Sequence, residues 1–343
     1  MKLGFLVNKL LFIKFSSVFF LFSPMGLYSL TVSEELSSAS QLLSKGDIES
    51  LVKAENASRL ATLEEPRASL AHWLRAQSIF GLAGIEFGFD EKDKPFIEEA
   101  RVRSIPIPSN LVPENILVFP NSKNEIDYFL LMETNSSRLY IYKLNKSGDF
   151  KFEISFYSSI GLSGDNKIRE GDKKTPIGVY RFVKEIVNPR ADGFLGDLAM
   201  TLDYPNAKDK QDGRTGYGIW IHGVPKDTFV RSPKASDGCL ALSNDDIQIL
   251  KNYITYRKTH ILIVSDVSWV APEDWKNKSR IVEDLLSKSN ISKNETDSEL
   301  LAYFRVARDR PSVALRNKKG IFSRDYWNET EDGLRKILTE RLN

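Results

Sequence analysis

From Phe150 to Tyr157 the chain reads Phe-Lys-Phe-Glu-Ile-Ser-Phe-Tyr, with Phe150, Phe152, Ile154 and Phe156 at every second position. A period of two puts those four side chains on one side of an extended strand and fits no helix face. Similar short runs surround it. Tyr128–Met132 and Arg138–Tyr142 flank Asn135-Ser136-Ser137 and read as a hairpin. Ile116–Phe119, Gly178–Val183, Tyr217–Ile221 and Thr259–Val264 are further strand candidates, separated by turn residues rich in Gly and Pro. Together they predict a mainly β domain over residues 101–266. One helix is expected inside it, from Asn244-Asp245 to Asn252, with Asn244 as its N-cap.

The flanks are patterned differently. Leu36, Ala39, Leu42 and Leu43 share a helical face, Gly46-Asp47 interrupts, and Ile48, Leu51 and Val52 restart the stripe. Pro66 opens another helix with Leu70, Trp73, Leu74, Ala76 and Phe80 available for packing. Residues 31–100 therefore read as a helical docking or dimerisation segment, which makes a homodimer one expectation. Residues 85–113 look like a linker, extended through Ile105-Pro106-Ile107-Pro108. After residue 266 the patterning reads as helical again: Leu334, Ile337, Leu338 and Leu342 form a stripe, Trp275 and Trp327 are local anchors, and Asn290–Ser298 is a polar loop. Residues 267–343 are thus expected as a helical C-terminal segment.

The first 30 residues carry Lys2, Lys9 and Lys14, no acidic residue, a short apolar stretch at Phe15–Phe22 and an imperfect small-residue cleavage site at Leu27-Tyr28-Ser29. This is the pattern of a secretory signal peptide cleaved near Ser29. The other reading is an uncleaved inner-membrane anchor, but Lys14 and Pro24 leave an apolar run shorter than the ~20 residues a span needs. The expectation is export to the periplasm. Of 48 basic residues, three lie in this leader, so 45 basic side chains face 46 acidic ones in the remainder. Nucleic acid, which demands a basic surface, is excluded as a partner.

An exported chain usually pairs its cysteines or has none. This one has a single cysteine, Cys239. A lone buried cysteine is often only a small hydrophobe. Here, however, Ser236-Asp237-Gly238 is a polar turn leading into the thiol, and His222 stands 17 positions upstream at the end of an apolar run. A free thiol is mostly protonated at neutral pH, and an imidazole that takes its proton makes it a nucleophile. Gly238 allows a sharp turn whose N–H groups can face an oxyanion. One cysteine and one nearby histidine do not make the usual ligand set, so no metal or other cofactor is expected. His72 and His260 read as structural.

At these residues the chain resembles the L,D-transpeptidase (YkuD-like) catalytic domain of bacterial cell-wall enzymes. His222-Gly223 and Ser236-Asp237-Gly238-Cys239 match that family's two motifs, and Gly171-Asp172…Thr175-Pro176-Ile177-Gly178 matches its upstream segment. The resemblance implies a β-sandwich-like domain acting on the stem peptides of peptidoglycan. Cys239 would attack the carbonyl before the terminal D-alanine of a stem tetrapeptide. His222 would be the base, oriented by a carbonyl at Gly223, and Gly238 and Cys239 would form the oxyanion hole. D-alanine would leave a thioester. An amine on an acceptor stem peptide or a cell-wall protein would complete L,D-transpeptidation, and water would make the enzyme an L,D-carboxypeptidase.

The family often carries an arginine two positions after the cysteine, where this chain has Ala241. That departure resembles the subgroup of cell-shape-determining L,D-carboxypeptidases. It leaves Ser236, Trp220 and Arg231 as candidates for holding substrate, with Arg214 and Lys234 as other cations nearby in sequence. Some of those relatives end in a pocket domain resembling nuclear transport factor 2, which residues 267–343 look too short and too helical to form. Transpeptidase is the first functional expectation, carboxypeptidase the second, and a non-catalytic wall-binding protein the reading from another class.

Overall fold

The computed structural model describes residues 24–85, 89–120, 125–145, 148–288, 298–307, 309–331 and 333–342. The cleavage region and most of the polar loop at 290–298 fall outside the described residues or their described side chains. Among the described residues no helix is long and apolar enough to cross a membrane.

Four helices come first: α1 (Pro24–Leu43), α2 (Ile48–Glu64), α3 (Ser69–Leu82) and α4 (Lys94–Ser104). The break at Gly46-Asp47 is a cap, since the Asp47 carboxylate accepts the Ser50 N–H at 2.9 Å. Leu36, Ala39, Ala61, Leu70 and Leu74 close a small core between these helices. Helix α4 lies inside the stretch read as linker. Its signals were present: Pro95 in its first turn, and Arg101 and Arg103 in the last, where cations complement the helix dipole.

The central region runs β1 (Val112–Pro113), β2 (Ile116–Val118), β3 (Tyr128–Glu133), β4 (Arg138–Leu144), β5 (Phe150–Tyr157), β6 (Ile160–Gly161), β7 (Gly178–Val187) and β8 (Leu198–Leu202). It continues through α5 (Ala207–Gln211), β9 (Trp220–His222), β10 (Lys234–Ser236), β11 (Leu240–Ala241), α6 (Asn244–Lys251) and β12 (His260–Val264). Eight strands form one sheet in the order β11-β9-β8-β7-β12-β3-β4-β5. β7 serves both halves: Gly178–Arg181 pair with β12, and Phe182–Val187 pair with β8 across a bulge. A bulged strand shared in this way lets a sheet fold over on itself. The mainly β reading is therefore correct. Ser243, not Asn244, caps α6, its hydroxyl accepting the Asp246 N–H at 3.0 Å.

The chain closes with β13 (Trp269–Val270), α7 (Pro272–Lys288), β14 (Glu299–Phe304), β15 (Ser312–Lys318), β16 (Ile321–Thr330) and β17 (Gly333–Leu342). The helical reading holds for α7 and fails beyond it. Leu334, Ile337, Leu338 and Leu342 lie on a strand paired along its length with β16. The resulting sheet, β17-β16-β15-β14-β2, recruits β2 from the other end of the central region. Trp275 of α7 stacks on Phe150 at 5.1 Å and donates to the Ile116 carbonyl at 2.8 Å. Arg324 of β16 is fully buried and bonds Asp203, Glu340 and the Val179 carbonyl, fastening the C-terminal sheet to the eight-stranded one.

Candidate active site

β9 and β11 run parallel, with Leu240 opposite Ile221 and Ala241 opposite His222. Continuing that register sets Cys239 beside Trp220. Residues two apart on a strand share a face, so Cys239 and His222 look to the same side. The half-buried thiol lies 3.4 Å from the Trp220 N, which donates to it, and 3.4 Å from the Gly218 carbonyl. Trp220 thus meets the nucleophile through its backbone.

The turn before the thiol is tied from two sides. The Ser236 hydroxyl accepts the Gly238 N–H at 3.1 Å and donates to the Cys239 carbonyl at 2.6 Å. The Thr175 hydroxyl donates to the Gly238 carbonyl at 3.1 Å and accepts the Gly161 N–H at 2.9 Å. Gly238 sits at φ +123°, and a Cβ there would come within 2.6 Å of the Lys174 carbonyl oxygen. Two expectations change. The Gly238 N–H is committed to Ser236, so of the two N–H groups expected to face an oxyanion it is not the one available. The Ser236 hydroxyl is committed to the turn and does not face substrate.

His222 is buried, and its Nδ1 lies 2.6 Å from the Gly223 carbonyl oxygen. A carbonyl only accepts, so Nδ1 carries the proton and Nε2 keeps its lone pair. Burial, with a smaller push from the Arg231 charge, lowers the imidazole to about 4. It is neutral at neutral pH. Asn244 holds the turn that presents this carbonyl, donating to the Val224 carbonyl at 2.8 Å and accepting its N–H at 3.1 Å. A Cβ on Gly223 would lie 2.2 Å from the Asn244 Oδ1, so the glycine makes room for the clamp.

Burial pushes the Cys239 thiol up; the Trp220 N–H, Arg231 and Lys167 pull the other way. Lys167 is buried and bonds Asp172 at 2.8 Å. Asp172 also takes the N–H groups of Ile168, Arg169 and Lys174, and these bonds hold its carboxyl well below the usual range against the opposing cost of burial. Arg231 is half-buried, bonds the Phe194 carbonyl at 2.6 Å and covers the Phe194 ring at 4.2 Å. Arg214 is turned to Asn166 and the Lys167 carbonyl. Lys234 is exposed.

Asp172, Thr175 and Asn244 are the participants whose roles were not assigned from sequence. The first two stand in the Gly-Asp…Thr-Pro segment. Asn244 was read as a cap because it opens a helix.

Residues 124–264 match the family model of the L,D-transpeptidase catalytic domain, YkuD. Over that stretch the chain is similar to the YkuD-type L,D-transpeptidase catalytic domain. Among solved structures it is similar to Bd1075 of Bdellovibrio bacteriovorus, at 20% identity over 68% of this chain and 98% of that one, with a TM-score of 0.53. It also matches the helical cell shape determining protein Pgp2 of Campylobacter jejuni, at 17% identity over 72% of this chain and 99% of that one, with a TM-score of 0.45. The likeness to Bd1075 is one of fold. No curated protein matches the chain.

Proposed function

We propose that the protein is a cysteine acyltransferase of the bacterial cell envelope acting on stem tetrapeptides of peptidoglycan. The observation that carries this reading is that Cys239 and His222 lie on one face of neighbouring parallel strands, with His222 held as its Nδ1–H tautomer. With the thiol raised and the imidazole lowered, the resting pair is uncharged. His222 Nε2 takes the thiol proton as sulfur attacks the carbonyl before the terminal D-alanine. The Cys239 N–H faces the oxyanion. The C–N bond breaks, the imidazolium returns its proton to the leaving amine, and a thioester remains. An acceptor amine then gives up a proton to His222 as it attacks the thioester, the C–S bond breaks, and the imidazolium returns the proton to the Cys239 sulfur, which is L,D-transpeptidation. Export through the signal peptide read at residues 1–30 would bring the enzyme to its substrate.

Incubation with purified disaccharide-tetrapeptide beside a Cys239→Ala variant, followed by mass spectrometry, tests this. Cysteine-dependent loss of D-alanine with cross-linked dimer is the expected result. Loss of D-alanine giving only tripeptide makes water the acceptor and the enzyme an L,D-carboxypeptidase. D-alanine release by the Cys239→Ala variant overturns the reading.

A further inference from the structure

Taking a charge out of water costs free energy that an ion pair or a ligand must offset. Arg231 is a half-buried guanidinium that forms no ion pair among the described residues; its protein hydrogen bond is to the Phe194 carbonyl. Arg190 lies on the same Phe194 ring, 5.3 Å from its centroid. The Arg231 carbonyl is held by Ser159, whose backbone is bridged to Ala241, two positions past Cys239, and the Arg231 charge acts on both Cys239 and His222. Arg190 is paired with Asp192, so Arg231 is the cation here that lacks an ion pair among the described residues, and Asp237 is the acidic group whose charge acts on it.

The backbone that carries Arg231 is gripped from behind. Its carbonyl accepts the Tyr157 hydroxyl at 2.8 Å and the Ser159 hydroxyl at 2.9 Å. The Tyr157 ring lies 4.1 Å beneath the guanidinium of Arg103, a fully buried residue of α4. Arg103 is fixed in turn by Glu99 at 2.8 Å and by the Ser33 hydroxyl of α1 at 3.1 Å. Two residues before Arg231, Phe229 is buried in the core of the helical segment. Contacts thus run without a gap from the N-terminal helices to Arg231.

We infer that Arg231 reads the C-terminal carboxylate of the substrate, and that Tyr157 and Arg103 are positioning residues through which the N-terminal helices hold it there. The leaving residue is the one that fits. His222 hands its proton to the leaving amine, and in a terminal amino acid the carboxylate sits one carbon from that amine, within the field of the same arginine. The site would then select a free chain end over an internal peptide bond. The carboxylate assignment rests on the stem-peptide reading above; the positioning of Arg231 does not.

Two measurements on the full chain test this, each with a melting curve to confirm folding. The first compares tetrapeptide with its C-terminal amide. Arg231→Met should lower kcat/KM on the free acid by about 10- to 100-fold more than on the amide, the usual worth of a hydrogen bond to a charged group. Tyr157→Phe, which leaves the Ser159 bond in place, should raise KM on the free acid by about threefold at constant kcat. The Tyr157→Phe/Arg231→Met pair should fall no further than Arg231→Met alone. Equal losses on acid and amide, or additive losses in the pair, overturn the inference.

The second measurement needs no turnover: the ratio of Cys239 alkylation by iodoacetate, an anion, to that by neutral iodoacetamide. It should be highest in the unmodified protein, lower in Tyr157→Phe and Arg103→Gln, partly restored in Arg103→Lys and lowest in Arg231→Met. A ratio that none of these changes moves overturns the positioning. A normal ratio pattern in a protein that turns over neither peptide would retain the positioning and reject the stem-peptide reading.

Discussion

His222 and His260 start from nearly the same local chemistry. Both are buried, and each places Nδ1 on a backbone carbonyl, of Gly223 at 2.6 Å and of Lys258 at 2.7 Å. Burial lowers both, to about 4 and about 3. What separates them is position in the sheet. His222 ends β9, whose parallel neighbour β11 follows directly on Cys239. His260 opens β12 opposite Arg181, feels the charge of Arg324, and has its Nε2 sealed with no partner. Tautomer and protonation state alone do not make a base. A base also needs a proton donor within reach of its lone pair; the sheet sets a thiol on the strand beside His222, whereas the His260 Nε2 is buried without a partner.

The largest expected effect tests that contrast directly. His222→Ala should cut cysteine-dependent D-alanine release by about 10²- to 10⁴-fold, the range for a lost general base. His260→Asn should leave kcat/KM within about twofold. Equal losses in the two variants would break the comparison. The next effect lies wholly on the His260 side. Arg324→Met removes the cation between Asp203 and Glu340 and leaves two part-buried carboxylates without it. Breaking such a pair should cost about 3–5 kcal/mol in chemical denaturation. A cost below about 1 kcal/mol would mean that water replaces the guanidinium there.

The two ends of the molecule were unequally legible in the sequence. The hairpin about Asn135 is present as β3–β4 and Phe150–Tyr157 is a strand, but its alternation is interrupted, because a bulge between the Ile154 and Phe152 pairings shifts the register and leaves Phe152 exposed. Cys239 and His222 stood out as candidates because a lone cysteine after a glycine and a histidine closing an apolar run are rare local patterns. The C-terminal sheet could not. Gly-Leu-Arg-Lys-Ile-Leu-Thr-Glu-Arg-Leu is rich in helix formers, and its leucines recur at helical spacing. Pairing with β16, seventeen or fewer residues earlier in most of its register, overrides that preference. The missed clue was the Lys319-Gly320 pair, at φ +52° and +82°, a tight turn between β15 and β16. Arg103 was invisible as a site residue for a different reason. Its link to Arg231 passes through Tyr157, and no local pattern encodes a contact between distant segments.

A smaller effect sharpens the His222 side. Gly238→Ala places a Cβ against the Lys174 carbonyl in a conformation that L residues rarely adopt. Strain of that kind costs about 1–3 kcal/mol, and here it falls on the turn that holds the thiol. Alkylation of Cys239 by iodoacetamide and D-alanine release should both change in Gly238→Ala, while thermal unfolding shifts only modestly. A Gly238→Ala enzyme with unchanged kinetics would show that the turn tolerates another geometry.

The smallest effect is the one the two histidines share. Each folded-state pKa lies below the ordinary value of 6.5, near 4 for His222 and near 3 for His260. As pH falls through 6.5 the unfolded chain takes up protons that the folded chain refuses, so the equilibrium moves toward unfolding. Stability from this source is complete above pH 6.5, declines through the interval below it, and stops declining once each folded pKa is passed. Between pH 8 and pH 5 each histidine should remove about 1–2 kcal/mol. His260→Asn should therefore halve the histidine part of that acid loss in denaturant titrations, and His222→Asn should do the same, although only the second substitution destroys the active site. A variant pair that differed in acid stability as sharply as in turnover would mean that the two imidazoles are not equivalently buried, and that His222 is charged while the enzyme works.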